Sequence, residues 1–293
     1  MNDHANGIDR RQFLRLSTLA TAAGCTLGRS AFAATPGSLT YGVQLYMVRR
    51  QAQQDLAGVL KAIHQVGFTQ IELYPIAYTH SAADLRKIIS DAGLSSASAH
   101  VDYVGLEDKI DYIHQLGCEY LVCPMLPDRL WTSPEGFREA ATQFNRWGEA
   151  VRARGMKFAF HNHDYEFKPQ AGGTTGFAEL MKNTDPALVK LELDCYWLTQ
   201  GGQDPLTVLK QHADRAVLIH LKDRKAGSAV SYNMDATSEH FTELGKGTIN
   251  WPVLLAQAKK QGIRYAFMDQ DETAGPVLDS LKESYTYLKA QKV

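Results

Sequence analysis

Eight times along this chain a short apolar run of strand character gives way to a longer stretch with helical spacing, and this alternation is the strongest constraint on its fold. The strand candidates cover residues 40–46, 70–74, 95–101, 119–123, 157–163, 189–194, 216–221 and 264–269. Between them, Leu56, Val59, Leu60 and Ile63 line one helical face, and Leu85, Ile88 and Ile89 line another. The longest helix is expected over 133–154, and a late one presents Val253, Leu254, Leu255 and Ala258. Gly67, Gly93, Gly117, Gly155 and Gly262 each follow a helical stretch and precede a strand, where a chain turns left-handed to leave a helix. Strands joined by helices of this length make right-handed crossovers and a parallel sheet. Eight such units in about 250 residues predict an α/β fold of the (β/α)8 TIM-barrel type, forming one domain without an internal boundary. No Gly-x-Gly-x-x-Gly follows the first strand, which disfavours a doubly wound sheet. The longest loops, 170–175 and 225–240, are expected to cover the barrel mouth.

The segment before the barrel reads differently. Asp9-Arg-Arg-Gln-Phe-Leu-Arg15 carries twin arginines, a mildly apolar stretch follows, and Ala31-Phe-Ala33 has a small-x-small cleavage pattern. This order predicts a twin-arginine signal peptide over 1–33, the domain proper over 34–293, and a periplasmic or extracellular location reached through the twin-arginine export machinery. A weaker lipobox, Ala22-Ala-Gly-Cys25, offers lipoprotein anchoring at Cys25 instead. The 1–33 segment holds four basic and two acidic residues, so the 31 basic and 32 acidic side chains of the whole become 27 and 30, a net charge of −3. A nucleic-acid binder shows a basic footprint, and none is present. No uninterrupted apolar run is long enough to span a membrane. Cys118, Cys123 and Cys195 read as buried apolar residues rather than disulfide partners.

In such a barrel the chemistry lies at the strand C-termini, and four of the runs end in ligand-type or acid–base groups. They are Phe158-Ala-Phe-His-Asn-His163, Val189-Lys-Leu-Glu-Leu-Asp194, Ala216-Val-Leu-Ile-His220 and Tyr265-Ala-Phe-Met-Asp269. Alternation turns Ala159, His161 and His163 to one face and Phe158 and Phe160 to the other. Glu192 and Asp194 share parity, as do His220 and Lys222. Barrel closure gathers His161, Asp194, His220 and Asp269 around one point, a nitrogen and carboxylate set that suits a divalent metal. Lys222 and His100 stand ready to hold or protonate substrate oxygens. Glu72, Glu166 and Asp271 are candidate substrate contacts, with a buried ion pair the alternative for Glu72. Trp197 either walls a sugar face or packs in the core.

The joint motifs Tyr41-Gly-Val-Gln-Leu-Tyr46, Gly67-Phe-Thr-Gln-Ile-Glu-Leu73, His161-Asn-His-Asp-Tyr-Glu-Phe167, Leu193-Asp-Cys-Tyr-Trp197, His220-Leu-Lys-Asp223 and Asp269-Gln-Asp-Glu272 resemble the xylose-isomerase-like TIM-barrel superfamily. Within it the chain is similar to exported proteins of the sugar phosphate isomerase/epimerase type. The resemblance implies one divalent metal (Mn, Zn, Co or Mg), held in many relatives by Glu, Asp, His and Glu from the fifth to eighth strands. Asp194 and His220 match the middle two; His161 and Asp269 replace the outer glutamates, which argues against a symmetrical two-glutamate epimerase.

The function expected is therefore a metal-dependent isomerase, epimerase or lyase acting on an unphosphorylated sugar or keto-sugar. His161 or His163 would remove a proton beside a carbonyl to form a metal-stabilised enediolate. A 3-keto-glycoside delivered by a partner sugar oxidoreductase is one such substrate. The alternatives are a metal-dependent hydrolase of a sugar lactone or ester, and a non-catalytic periplasmic sugar-binding protein.

Overall fold

A computed structural model of the chain describes residues 38–234 and 239–291. The expected signal peptide and Cys25 lie outside the described residues. Ten strands are described: β1 (Thr40–Gln44), β2 (Gln70–Leu73), β3 (Ser95–His100), β4 (Tyr120–Cys123), β5 (Lys157–His161), β6 (Val189–Asp194), β7 (Ala216–Leu221), β8 (Asp223–Arg224), β9 (Phe241–Thr242) and β10 (Tyr265–Met268). All but β8 and β9 pair in parallel, each with its sequence neighbour, and β10 closes the ring between β7 and β1. The result is the expected (β/α)8 barrel, its helices being α1 (Arg49–Val66), α2 (Ala82–Asp91), α3 (Leu106–Leu116), α4 (Pro134–Ala153), α5 (Gly176–Asn183), α6 (Cys195–Gln200), α7 (Pro205–Gln211), α8 (Trp251–Lys260) and α9 (Val277–Ala290).

Local chemistry sets the helix ends. The side chains of Ser81, Ser133, Thr175, Asp204 and Asn250 each accept a backbone N–H in the first turn of α2, α4, α5, α7 and α8. Gly67 and Gly117 end α1 and α3 at φ values of 122° and 84°, which a side chain would resist. In α4 the buried residues Phe137, Ala140, Ala141, Phe144, Trp147 and Val151 recur at helical spacing and face the sheet. The late helix departs from expectation at one position. Val253 is 46% exposed, because a helix that buries Leu254, Leu255 and Ala258 turns residue 253 outward.

Alternation along the strands separates two cores. Phe158 and Phe160 join the large core between sheet and helices. Ala159 joins Ala97, Tyr120, Val122, Leu218, Tyr265 and Phe267 in a second cluster that plugs the lumen. This plug supports the polar groups at the strand ends. Cys118, Cys123 and Cys195 are buried free thiols, as read from the sequence. No helix among the described residues is long and apolar enough to cross a membrane.

Several strands stop short of the expected limits. β1 gives way after Gln44 to a single 3-10 turn, Leu45–Val48, whose first N–H groups include that of Tyr46 bonded to the Gln44 side chain at 3.1 Å. β5 ends at His161, so His163 is placed by a loop rather than by strand parity. After β7 the chain makes an antiparallel pair, β8 with β9, and a strap described over residues 225–234 follows β8. The Asp223 carboxylate fastens its base, accepting the N–H groups of Gly245 (3.0 Å) and Gly247 (3.2 Å) and the Trp251 indole (2.8 Å). The 170–175 loop instead folds on itself through a Pro169–Thr175 bridge and does not line the mouth, contrary to expectation.

Gly42 shows how tightly the plug is fitted. A Cβ there would lie 2.6 Å from the Phe267 ring and 3.0 Å from the Gln70 Cβ. Gly42→Ala should therefore lower unfolding free energy by about 1–3 kcal/mol, measured by chemical denaturation, as expected for an overpacked core.

Candidate active site

Two layers of polar side chains stack at the C-terminal end of the barrel. The lower layer joins two carboxylates to three imidazoles. The Glu192 Oε2 lies 2.7 Å from His100 Nε2, 3.0 Å from His161 Nδ1 and 3.2 Å from His220 Nε2. The Glu72 Oε2 lies 2.6 Å from His220 Nε2 and 3.2 Å from His100 Nε2, and also accepts from Gln44 at 2.7 Å, while its Oε1 accepts from Ser98 at 2.5 Å. Both carboxylates are fully buried.

The upper layer consists of Asp194, Asp269, Asp271 and Lys222. The Lys222 ammonium sits 2.6 Å from both Asp269 Oδ2 and Asp271 Oδ1 and 3.2 Å from Asp194 Oδ2. Asp194 is also the N-cap of α6: its Oδ1 accepts the Trp197 N–H at 2.9 Å. Asn162 locks this strand end to β5, its Oδ1 accepting the Asp194 N–H at 3.0 Å.

Besides Glu192 Oε1, three atoms here are buried without a hydrogen-bond partner: Asp194 Oδ2, His220 Nδ1 and Asp269 Oδ1. These residues each offer a ligand atom within 4.8 Å of the others. Buried polar groups are ordinarily satisfied, so three orphans of ligand type at one point fit a metal. Charge leads to the same place. Glu72, Glu192, Asp194, Asp269 and Asp271 bring five carboxylates, and Lys222 with charged His100 and His220 brings three cations, an excess of two negative charges when all are ionised.

The network also sets proton affinities. Burial opposes the charged form of His100, but Glu72 and Glu192 outweigh it and raise its pKa to about 9. Burial likewise opposes charge on His220, and the same carboxylates lift it well above the usual imidazole range. Burial works to raise the Glu72 carboxyl, yet His100 and His220 hold it well below its ordinary value. His161 and His163 go the other way. Burial first, then neighbouring cations, push both well below the usual range, so both are neutral at neutral pH. Lys222 is raised well above its ordinary value despite burial, by Asp194, Asp269 and Asp271.

Above the layers lies a cavity of about 320 Å³, within the range of small-molecule sites. His100, His161, His163, Lys222, Trp197, Asp269 and Asp271 all line it, as the sequence predicted for a substrate site. Asp194, His220 and Asp269 come together as the metal set, and His161 approaches that set with its Nε2 3.8 Å from Asp194 Oδ2. Of the two readings open for Glu72 the structure takes the buried ion pair: it does not line the cavity and pairs with His220 and His100. The expectation for Glu166 is corrected: it is also buried away from the cavity, where its Oε2 accepts the His163 N–H at 2.9 Å. Burial raises its carboxyl to about 8. Sequence reasoning gave no role to Glu192, Gln44 or Asn162. Its parity with Asp194 was the available signal for Glu192; Gln44 and Asn162 carry no charge pattern that would have marked them.

The comparisons agree with this geometry. A family model described as the xylose isomerase-like TIM barrel matches residues 60–290, and the chain belongs to that family. The chain is similar to a protein named inosose dehydratase from Clostridium beijerinckii, 25% identical over 71% of this chain and 78% of that one. The inosose dehydratase of Geobacillus kaustophilus is 28% identical over 56% of this chain and 61% of its own length. A solved structure described as a sugar phosphate isomerase/epimerase from Parabacteroides distasonis ATCC 8503 superposes with a TM-score of 0.71 at 26% identity, covering 89% of this chain and 96% of that chain.

The elevated His100 pKa has a consequence for stability. A group raised on folding contributes stability that is complete below its unfolded value of 6.5 and is lost as pH rises through about 9. Metal-free protein should thus lose up to about 3 kcal/mol across this window. Denaturant titrations at both ends should show the loss, and it should be smaller in His100→Gln.

Proposed function

We propose that the protein is a divalent-metal-dependent isomerase, epimerase or lyase that removes a proton beside the carbonyl of an unphosphorylated sugar or keto-sugar. The observation that carries this reading is the convergence of buried Asp194, His220 and Asp269, the last of which lines the same cavity as a neutral His163. Asp194 would turn Oδ2 to a metal, since Oδ1 is committed to the Trp197 N–H; that Oδ2 now lies 3.2 Å from the Lys222 ammonium, which a metal would displace. His220 has Nδ1 free because Nε2 faces Glu72, and Asp269 offers Oδ1. His161, its Nδ1 held by Glu192, would complete the set through Nε2. Bound there, a divalent ion supplies Lewis-acid polarisation of adjacent carbonyl and hydroxyl oxygens.

The remaining chemistry belongs to the chain. His163 is the base: its Nδ1 has no hydrogen-bond partner, and its ring packs 5.2 Å from Trp197. Glu166 holds its backbone in place. Lys222 holds a substrate oxygen that gains negative charge as the proton leaves, and Asp271 accepts from a sugar hydroxyl. Charged His100 stands at the cavity floor as a donor to a second oxygen. Asp102, Asp269 and Asp271 all line the cavity, so a phosphate dianion would meet carboxylate repulsion there. This supports an unphosphorylated substrate.

The relatives' name supports a lyase within this class, since dehydrating a keto-polyol begins with the same proton removal. By the same chemistry a 3-keto-glycoside would lose its aglycone by β-elimination, after a separate oxidoreductase had formed the ketone. The twin-arginine pattern at residues 9–15 supports export of the folded, metal-loaded protein to the periplasm.

Metal-loaded protein incubated with methyl 3-keto-β-glucoside in deuterated water should place deuterium on the carbon beside the ketone. His163→Gln should slow this by about 10²–10⁴-fold, and a chelator should abolish it. Turnover of a sugar lactone or ester with carbon-bound hydrogens untouched would contradict the reading and favour hydrolysis.

A further inference from the structure

The cavity has two unlike walls. Lys222, Asp269 and Asp271 follow β7 and β10, whereas Pro124 and Met125 follow β4, which stands diametrically across the closed ring from β10; Asp102, after the neighbouring β3, also lines the cavity. Met125 is 41% exposed beside the mouth. The strap that follows β8 supplies a third apolar group to the cavity, Met234.

Met234 is held where it is by several bonds. Its N–H donates to both oxygens of the Asp164 carboxylate, at 3.0 and 3.2 Å, and the Ser231 hydroxyl donates to Asp164 Oδ2 at 3.1 Å. Asp164 is buried in the loop after β5, so the strap leaves β7, passes β6 and is tied down beside β5. Further back, the Ala229 carbonyl accepts from Gln200 (3.0 Å) and Arg224 (2.8 Å), and the Arg224 Nε donates to Gln200 at 2.6 Å. Met234 is the single non-glycine residue among those described with a positive φ, 58°. A bulky side chain in this conformation is unusual and marks a position that the surroundings impose. Met234 packs against the edge of the main core and also lines the cavity.

We infer that Met234 is a specificity-determining residue and Asp164 its positioning residue, and that the wall they complete with Met125 receives an apolar substituent, aryl or alkyl, carried by the sugar. A flexible thioether beside a second methionine suits apolar groups of varied shape. The polar wall opposite takes the hydroxyl-rich ring. The inference rests on the proposed sugar site but not on its reaction, since it concerns binding alone.

The test compares phenyl β-D-glucopyranoside with methyl β-D-glucopyranoside by isothermal titration calorimetry, with no ketone and no turnover involved. Wild-type protein should bind the phenyl glycoside at least about tenfold more tightly, the gain expected for covering part of an aryl ring. Met234→Gln, similar in shape but polar, should cut that preference several-fold, and Met234→Leu should keep most of it. Asp164→Ala should cut it as Met234→Gln does, whereas Asp164→Asn, which retains an acceptor for the Met234 N–H, should restore it. Equal affinity for the two glycosides, binding of neither, or a preference unchanged in Met234→Gln and Asp164→Ala would overturn the inference. Failure of deuterium exchange with this binding pattern intact would count against the proposed reaction alone.

Discussion

Five carboxylates share one barrel mouth, and their mutual repulsion is the constraint that the rest of the site answers. Parallel closure leaves no choice about where Glu72, Glu192, Asp194, Asp269 and Asp271 go, because each lies near the C-terminal end of its strand. Unpaired charges in so dry a place would cost several kcal/mol each. The fold answers with imidazoles below and an ammonium above, and the two layers are not equivalent. In the lower layer every carboxylate meets two or more cationic or neutral donors. In the upper layer Lys222 alone serves three aspartates, and Asp269 Oδ1 is left without a hydrogen bond, as are His220 Nδ1 and Glu192 Oε1 in the layer below.

The same arrangement divides the histidines by role. His100 and His220 are pulled toward the charged form by the carboxylates they face, while burial first, then neighbouring cations, keeps His161 and His163 neutral. Four imidazoles of one intrinsic basicity thus become two kinds of group within a few ångströms. A neutral imidazole facing a cavity can take a proton; a charged one can only give or hold. The His163 N–H is held by Glu166, a residue that does not line the cavity, so the proposed base rests on a buried carboxyl behind it.

Much of this was legible in the sequence because periodicity and parity are one-dimensional. The eight strands, the helix-terminating glycines and the convergence of Asp194, His220 and Asp269 follow from spacing alone. The separation of Phe158 and Phe160 from Ala159 does as well. What escaped depends on depth and on loops. Glu72 stays open between substrate contact and buried ion pair until its depth is seen, and Glu166 reads as a substrate contact until its loop is seen to fold under His163. Glu192 was placed on the correct face, but its contact with three histidines joins four strands, and no local pattern encodes that. The fastening of Met234 to Asp164 spans 70 residues and leaves no trace in either segment. The strand ends were misjudged by one or two residues where turns begin, which is why parity could not decide between His161 and His163.

The central claim is that Asp194, His220 and Asp269 form a vacancy of charge and coordination fitted to one divalent cation. Metal content of the purified protein by mass spectrometry, beside Asp194→Ala, His220→Ala and Asp269→Ala, tests it most directly. The account predicts about one equivalent of a divalent metal in the unaltered protein and its loss in the folded variants, since ligand removal costs most of the affinity. An unaltered, folded protein that takes up no metal even after reconstitution, or variants that retain it fully, would contradict the account.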